Sequence, residues 1–327
     1  MTTGFGLSSF GAVSPIFGVP ARPLDDLGGA KAAVIGAPFD WGTSHRPGAR
    51  FGPRAIRLGD YLEPDGRRPH LPTGIDPLAE LQVVDVGDVA MAPGYVEAGL
   101  AAITDAVETI ARQGAVPIVL GGDHTVTFAD ATAVARVHGF GSVGLVHFDA
   151  HPDTGETHYG ALHGHGTPMR RLIESGAVPG HRFVQIGLRG YWPPPEVMAW
   201  MAEQRMRTFP MVEIAERGLD AVVDDAIGAA AGDGAPIFLS VDIDVVDPGM
   251  APGTGTPEPG GITARELLDT VRRLGRELPI VGADVVEVAP PFDGPGEITS
   301  RLANRVVLDL LNGMAERARG AGRDRRV

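Results

Sequence analysis

The amino-acid sequence of 327 residues predicts an α/β protein in which a mainly parallel sheet is covered by helices on both faces. Apolar runs of strand length alternate with segments of helical spacing, which is the pattern of repeated strand–helix–strand units. The runs are rich in Ala, Val and Ile without polar alternation, as expected of strands buried on both faces. Because no low-complexity linker divides the chain, we expect one domain over residues 31–320, preceded by an N-terminal arm of residues 1–30.

Local signals place the individual elements. Helical spacing is clear from residue 96 to Gln113, and Gly114 supplies the stop. Thr263 and Glu266 form the pattern of a capping box at a helix start. A last helix includes residues 306–314, and residues 320–327 are expected to fray. The eight candidate strands cover residues 32–38, 81–86, 116–120, 146–148, 183–188, 208–214, 237–241 and 280–288.

Composition excludes several classes of protein. The absence of cysteine excludes disulfides and thiolate metal sites. A formal net charge of −13 argues against nucleic-acid binding, which requires a basic surface. The same charge would attract a small cationic substrate, although acidity also simply favours solubility. Residues 1–17 lack a signal-peptide pattern and no apolar run reaches the length of a membrane span, so we expect a cytoplasmic protein.

Four arginines lie close together in the segment after the first strand, at Arg46, Arg50, Arg54 and Arg57. They would either bind an anion or pair with carboxylates of this acidic protein or of another subunit. We favour pairing, because runs of charge usually belong to solvated surfaces rather than to ligand sites.

The end of the fourth candidate strand carries the strongest chemical signal. Asp149, His151 and Asp153 occupy alternate positions directly after an apolar run. In an extended backbone, such side chains point in the same direction. Carboxylates and imidazoles are ligands for divalent metals, so this segment predicts a metal site at one edge of the sheet.

Two other strand ends repeat the pattern, with His124 after one run and with Asp242 and Asp244 after another. Ligands bind at the carboxyl ends of strands in open parallel sheets, so we expect these residues to join the first segment. Six ligands with four carboxylates are too many for one tetrahedral zinc ion. They suit two ions, and Mn²⁺ fits the mixed ligation best. The ligand types alone leave amidine, amide and phosphoester hydrolysis open as the reaction.

Three segments that carry these ligands resemble the signature segments of the ureohydrolases, the family of arginase, agmatinase and guanidinobutyrase. They read GGDH (121–124), DAHPD (149–153) and SVDIDVVDP (240–248). Further matches extend the resemblance from about residue 32 to residue 305. They read GTSHRPGARFGPRAIR (42–57), HGTPMRR (165–171), APGTGTPEPGG (251–261) and DVVEVAPPFD (284–293).

The resemblance implies a three-layer α/β/α fold of the arginase type, with an eight-stranded, mainly parallel sheet, and two Mn²⁺ ions per subunit. It also divides the six ligands between the ions. By resemblance, Asp149 and Asp242 bridge the two ions, His124 and Asp153 complete one ion, and His151 and Asp244 complete the other.

The same resemblance implies that a metal-bridging hydroxide attacks the carbon of a guanidino compound, releasing urea and a primary amine. Asp153 would hold the hydroxide and Glu287 would bind the guanidinium. A histidine is expected to shuttle protons, and the HGTP match selects His165 over His163 and His158.

The substrate is expected to be agmatine, with putrescine as the amine product. Arginase activity is not expected, because Glu156 lies where arginases carry polar residues for the amino acid and Gly190 follows Arg189 in place of an Asp. Glu156 would suit the amino end of agmatine, whereas Arg189 would suit guanidinobutyrate, the alternative substrate; both residues could instead be structural. A homo-oligomer, trimeric or hexameric, is typical of the family. A phosphoesterase and a non-catalytic relative are the more distant alternatives, and the intact ligand set disfavours the latter.

Overall fold

A single all-parallel sheet of eight strands runs through the computed structural model, which describes residues 14–232 and 234–323. The order of the strands across the sheet is β2-β1-β3-β8-β7-β4-β5-β6. The strands are β1 (Ala32–Gly36), β2 (Val84–Asp88), β3 (Val116–Leu120), β4 (Gly144–Phe148), β5 (Phe183–Ile186), β6 (Arg207–Phe209), β7 (Ile237–Asp242) and β8 (Ile280–Val286).

Ten helices in the described part of the chain cover the sheet. They are α1 (Gly52–Leu58), α2 (Pro77–Glu80), α3 (Val96–Arg112), α4 (Val126–His138), α5 (Pro168–Glu174), α6 (Pro195–Glu203), α7 (Met211–Arg217), α8 (Leu219–Ala231), α9 (Ala264–Glu277) and α10 (Ile298–Arg323). One buried apolar cluster joins α1, α2 and α7–α10 to one face of the sheet, and a second joins α3–α5 to the other. The predicted α/β/α architecture is therefore confirmed, and the observed sheet is parallel throughout.

Local sequence signals account for several element boundaries. Thr263 and Glu266 form the predicted capping box at the start of α9, with the Thr263 hydroxyl accepting a hydrogen bond from the Glu266 amide. Gly114 adopts a positive φ of 79° after α3, as a helix stop requires. No described helix has the length and apolar character needed to cross a membrane.

Three predicted segments differ most from the structure, while the other strand bounds agree to within two residues. The strand predicted for residues 208–214 ends at Phe209, and α7 begins at Met211, because Pro210 has no N–H with which to extend the ladder. The second strand begins at Val84 rather than at residue 81, because a turn after α2 occupies the preceding residues. The terminal helix continues to Arg323, so the fraying predicted from residue 320 is wrong as far as 323; residues 324–327 lie outside the described part.

The N-terminal segment packs against the domain where the structure describes it. Ile16 and Phe17 are buried in the cluster that also contains α1 and α10, and the Ile16 amide donates to Asp85 Oδ2 at 2.9 Å. Residues 1–13 of the proposed arm lie outside the described residues.

The order of the strands brings four strand ends together at the centre of the sheet. β3, β8, β7 and β4 are successive neighbours, with Leu120 beside Val285 and Asp242 beside Val286. Since all four are parallel, the segments that follow them leave the same edge at similar height. The segment after β3 also needs a glycine, since a Cβ at Gly122 would lie 1.6 Å from the Phe39 carbonyl oxygen.

Arg57 forms a buried ion cluster with two carboxylates of β2, the strand at one edge of the sheet. Its Nε lies 2.8 Å from Asp85 Oδ2 and its Nη1 lies 2.6 Å from Asp88 Oδ1. Burial opposes the charged guanidinium, but the two carboxylates outweigh it and raise the pKa of Arg57 above its ordinary value. Arg50 likewise pairs with Asp40. At Arg50 and Arg57 the structure therefore contains the predicted pairing with carboxylates.

The substitution Arg57→Met should lower the free energy of unfolding by about 3–5 kcal/mol, because it leaves Asp85 and Asp88 buried without their cation. Urea denaturation measures the change. The exposed Arg265 provides a matched control, since Arg265→Met should change the free energy by less than about 0.5 kcal/mol. Equal effects of the two substitutions would show that the buried pair is not needed for stability.

Candidate metal centre

The structure brings the six predicted ligands together in two adjoining groups. In the first group, His124 Nδ1 lies 3.0 Å from Asp149 Oδ2, 3.1 Å from Asp153 Oδ2 and 3.1 Å from Asp242 Oδ2. Four side chains from the segments after β3, β4 and β7 thus direct ligand atoms toward one point.

The second group uses the other oxygen of the same carboxylate. His151 Nδ1 lies 3.4 Å from Asp149 Oδ1 and 3.0 Å from Asp244 Oδ2. Asp149 therefore faces both groups, one oxygen to each. Asp242 contributes Oδ2 to the first group, while its Oδ1 accepts a hydrogen bond from the Asp244 amide at 2.8 Å.

The convergence arises from turns more than from an extended strand. β4 ends at Phe148, so the three predicted ligands after it lie in a loop. Asp149 Oδ1 accepts from the His151 amide at 2.6 Å, and Asp153 adopts a positive φ of 52°. After β7, a short 3-10 turn at Ile243–Val245 brings Asp244 back beside Asp242. The alternate spacing thus selected residues that the structure brings together, although they lie in a loop and not in the expected extended strand.

The electrostatics of the two groups fit bound cations. Burial and the charges of Asp244 and Asp149 raise the pKa of Asp242 well above its ordinary value. Burial opposes protonation of His124, yet the surrounding carboxylates raise its pKa well above the ordinary value. The buried His124 Nδ1 and Asp244 Oδ2 form no hydrogen bond. Buried carboxylates and imidazole nitrogens in this number need positive charge, and a nitrogen and oxygen donor set without sulfur suits Mn²⁺ or a similar divalent ion.

Hydrogen bonds behind the ligands orient them. His124 Nε2 lies 3.0 Å from Ser240 Oγ, so it can donate there and leave Nδ1 unprotonated for a metal. His147, a residue not predicted to belong to the site, is fully buried in β4, and its Nε2 lies 2.9 Å from Asp149 Oδ2. Gln185 Nε2 donates to its other nitrogen at 3.0 Å, which places the His147 proton on Nε2. The signal was a polar residue within an apolar strand, two positions before Asp149.

Glu287 forms the opposite wall of the candidate site. Its Oε1 accepts hydrogen bonds from the His124 amide and from His165 Nδ1, both at 2.9 Å. Its Oε2 is buried without a hydrogen-bond partner. Burial would raise the pKa of this carboxyl, but the charge of His165 outweighs burial and lowers it. Glu287 also adopts a positive φ of 62°, an uncommon conformation at a non-glycine residue.

A cavity of about 290 Å³ opens over both groups and includes His165, His158, Ser44 and Trp192 in its lining. Burial of His165 opposes protonation, but the adjacent Glu287 carboxylate prevails and raises the pKa of His165 to about 9. His163 instead stacks on Phe128, with ring centroids 5.3 Å apart, and does not line this cavity. His158 stacks on His165 at 5.5 Å and lines the cavity beside it.

Arg189 and Glu156, the two residues considered for the substrate tail, have different environments. The guanidinium of Arg189 donates to the backbone carbonyls of Gly187, Asp244, Val245, Glu258 and Pro259. Those bonds use its donors to fix the loops behind the site. Glu156 is exposed in an outer cleft that shares Trp192 with the inner cavity.

Comparison with known proteins agrees with this geometry. The family model described as "Arginase family" matches residues 30–312. The chain is 41% identical over 285 residues to the mitochondrial agmatinase of Gallus gallus, covering 86% of this chain and 81% of that protein. It is 37% identical over 313 residues to the guanidinobutyrase of Pseudomonas aeruginosa, covering 94% of each. The solved structure of proclavaminate amidinohydrolase from Streptomyces clavuligerus superposes with a TM-score of 0.86 at 37% identity, covering 94% of this chain and 99% of that one.

The fold, the site and these matches define a hydrolase that acts on C–N bonds of linear amidines. The chain belongs to the arginase family, which confirms the resemblance inferred from its sequence segments.

From the two groups of candidate ligand atoms, one at His124 and one at His151, we expect each chain to bind two divalent ions. The substitution His151→Asn should weaken binding of one ion more than about 100-fold, because it removes the imidazole of the second group and spares the first. Elemental analysis of bound metal after equilibrium dialysis measures the stoichiometry. His138→Asn, at the end of α4, should retain both ions. Two equally tight ions in the His151→Asn variant would contradict the assignment of this ligand.

Proposed function

We propose that this protein is a binuclear manganese-dependent ureohydrolase that converts agmatine to urea and putrescine. The observation that carries the proposal is the arrangement of Asp149 between His124 and His151, opposite the free Oε2 of Glu287. Such an arrangement pairs a site for two cations with a carboxylate that can accept a guanidinium N–H. Manganese is proposed from the mixed imidazole and carboxylate ligands.

His124, Asp149, His151, Asp153, Asp242 and Asp244 would hold the two ions. When bound, the ions would supply Lewis acidity and lower the pKa of a water molecule toward neutrality, which makes it a nucleophile for the guanidinium carbon.

The protein side chains orient the substrate and manage its protons. Glu287 Oε2 would accept a guanidinium N–H, since a buried carboxylate forms a strong charge-assisted hydrogen bond with this group. Asp153 would also accept a hydrogen bond from the attacking nucleophile. His165 would deliver a proton to the nitrogen of the leaving amine, because its Nδ1 is held by Glu287 and its ring lines the cavity.

The outer cleft favours a cationic tail over an anionic one. It contains the exposed carboxylates of Glu156 and Glu196. Its arginine, Arg170, pairs with Glu174 and stacks over Trp200, while Arg189 donates to backbone carbonyls. An extended ammonium would therefore meet complementary charge. Guanidinobutyrate is the alternative substrate, and the similarity to the Pseudomonas aeruginosa guanidinobutyrase supports keeping it in the test.

We also propose a homo-oligomer and a cytoplasmic location, as the family resemblance and the composition suggest. Among the relatives, an agmatinase of Gallus gallus and a guanidino acid hydrolase of Homo sapiens are mitochondrial, so location is a property of the individual protein. Sedimentation of the purified protein measures its oligomeric state, and cell fractionation determines its location.

The substitution His165→Gln should lower kcat by about 10²- to 10⁴-fold, because it removes a general acid–base group beside Glu287. Urea release under saturating substrate measures the change. His163→Gln is the matched control and should change kcat by less than about threefold, since this ring packs against Phe128. The reverse order of effects would assign the proton shuttle to His163.

The substrate is identified by urea release across agmatine, 4-guanidinobutyrate, 3-guanidinopropionate and arginine. We expect kcat/KM to be highest for agmatine. Glu156→Lys should lower this value about two- to fivefold, as expected of an exposed charge pair, and should raise the value for 4-guanidinobutyrate. Glu216→Lys, another exposed position, makes the same charge change outside the cleft as a control. Faster turnover of 4-guanidinobutyrate by the unmodified enzyme would overturn the choice of agmatine.

A further inference from the structure

The segment of residues 42–44 contacts the edge of the His165 ring that faces away from Glu287. Ser44 Oγ lies 2.6 Å from His165 Nε2, and the Ser44 backbone amide donates to the same nitrogen at 3.1 Å. Ser44 also lines the cavity above the metal ligands. The hydroxyl and the imidazole therefore both border the space that a substrate would occupy.

The position of Ser44 is fixed by contacts that need no ligand. Asp123 Oδ2 accepts hydrogen bonds from the Gly42 amide at 2.8 Å and from Thr43 Oγ1 at 3.2 Å. The His165 amide in turn donates to the Gly42 carbonyl at 3.0 Å. A Cβ at Gly42 would lie 2.1 Å from Thr125 Oγ1, so the segment approaches its neighbours too closely for a larger residue. Hydrogen bonds in both directions thus fix the positions of residues 42–44 and of His165 relative to each other.

These hydrogen bonds define how His165 carries its protons. An amide N–H donates, so the bond from Ser44 N forms while Nε2 is unprotonated, and Nδ1–H donates to Glu287 Oε1. Because Glu287 raises the pKa of His165 to about 9, this neutral form of the ring prevails above that pH and the doubly protonated form prevails below it. When Nε2 gains a proton, the amide cannot reverse its role. The hydroxyl can, because it donates to a bare nitrogen and accepts from a protonated one by rotating.

We propose that Ser44 is the relay and positioning residue through which His165 exchanges a proton with the leaving amine. The inference rests on the proposed ureohydrolase function and adds a residue to it. In the relay, Nε2–H of the protonated imidazole transfers its proton to Ser44 Oγ, and Ser44 Oγ–H passes its own proton to the substrate nitrogen. One N–H bond and one O–H bond break, one O–H bond and one N–H bond form, and the serine returns to its starting state.

Kinetics of Ser44 variants test the relay. Ser44→Ala should lower kcat about 10- to 100-fold, part of the contribution of a general acid–base group, and should leave KM within about twofold. Ser44→Thr retains the hydroxyl and should restore kcat to within a few-fold. Ser142→Ala removes an exposed hydroxyl bonded to the carbonyls of His138 and Gly139, and serves as the control for the loss of a serine. Bound metal and melting temperature should be the same in all four proteins.

Three outcomes for the Ser44 variants would overturn the relay. The first is an unchanged kcat in Ser44→Ala. The second is a loss that appears in KM or in bound metal instead of in kcat. The third is a Ser44→Thr variant as slow as Ser44→Ala, which would mean that packing rather than the hydroxyl matters.

A second measurement does not depend on turnover and separates this inference from the proposed function. In ¹⁵N-histidine-labelled full-length protein loaded with Mg²⁺ and held above the His165 pKa of about 9, the His165 Nε2 resonance should be that of an unprotonated, hydrogen-bonded nitrogen. The resonance is assigned by its absence in His165→Gln. In Ser44→Ala it should shift toward the position of a nitrogen with one fewer donor. An unshifted resonance would overturn the contact on which the relay depends, whatever the substrate. The other outcome is that the shift is present but no guanidino compound releases urea. That result would contradict the proposed function and overturn the relay as a step in this reaction, but the contact between Ser44 and His165 would stand.

Discussion

The carboxylate of Asp149 is the group on which the arrangement of the site depends. One oxygen faces His124 and the other faces His151, so a single side chain joins the two groups of ligand atoms. His147 and the His151 amide fix this carboxylate from behind. Its pKa is lowered well below the ordinary value, because the charges and hydrogen bonds of the neighbouring histidines outweigh the effect of burial. An anion held this firmly between two imidazoles is a suitable bridge between two cations.

The sheet provides the rigid support for this bridge. The four strands whose ends carry the site are adjacent, with β8 and β7 between β3 and β4. Glu287 follows β8, so its carboxylate meets His124, which follows β3, through the hydrogen bond to the His124 amide. Glu287 and the first group of candidate ligands are therefore fixed to each other at the ends of neighbouring strands, an arrangement that would favour catalysis depending on distances of this order.

Two residues of the candidate site adopt an uncommon backbone conformation. Asp153 and Glu287 both adopt positive φ, at 52° and 62°, although neither is a glycine. Such conformations cost on the order of 1–3 kcal/mol and persist where surrounding contacts enforce them. Here the Glu287 amide donates to the Gly122 carbonyl and its Oε1 accepts two hydrogen bonds, while the Asp153 carbonyl accepts from the Met169 amide. The positive φ at Asp153 and Glu287 therefore orients two carboxylates toward the site and lowers local stability.

The sequence by itself determined the layered α/β fold and singled out six candidate metal ligands, which the structure brings together. Both follow from local patterns, since burial on two faces selects apolar strands and the spacing of Asp and His is visible in a few consecutive residues. It also misplaced two boundaries, since the strand before Pro210 ends at Phe209 and the last helix continues to Arg323.

Only the tertiary structure decided which atoms meet. The contact of Glu287 with His165, the hydrogen bonds from the Arg189 guanidinium to the Asp244 and Glu258 carbonyls and the position of Ser44 beside His165 join residues far apart in the chain. The reason is physical: periodicity reports how a residue relates to its near neighbours, whereas these contacts depend on the order in which parallel strands assemble, and that order comes from packing across the whole sheet.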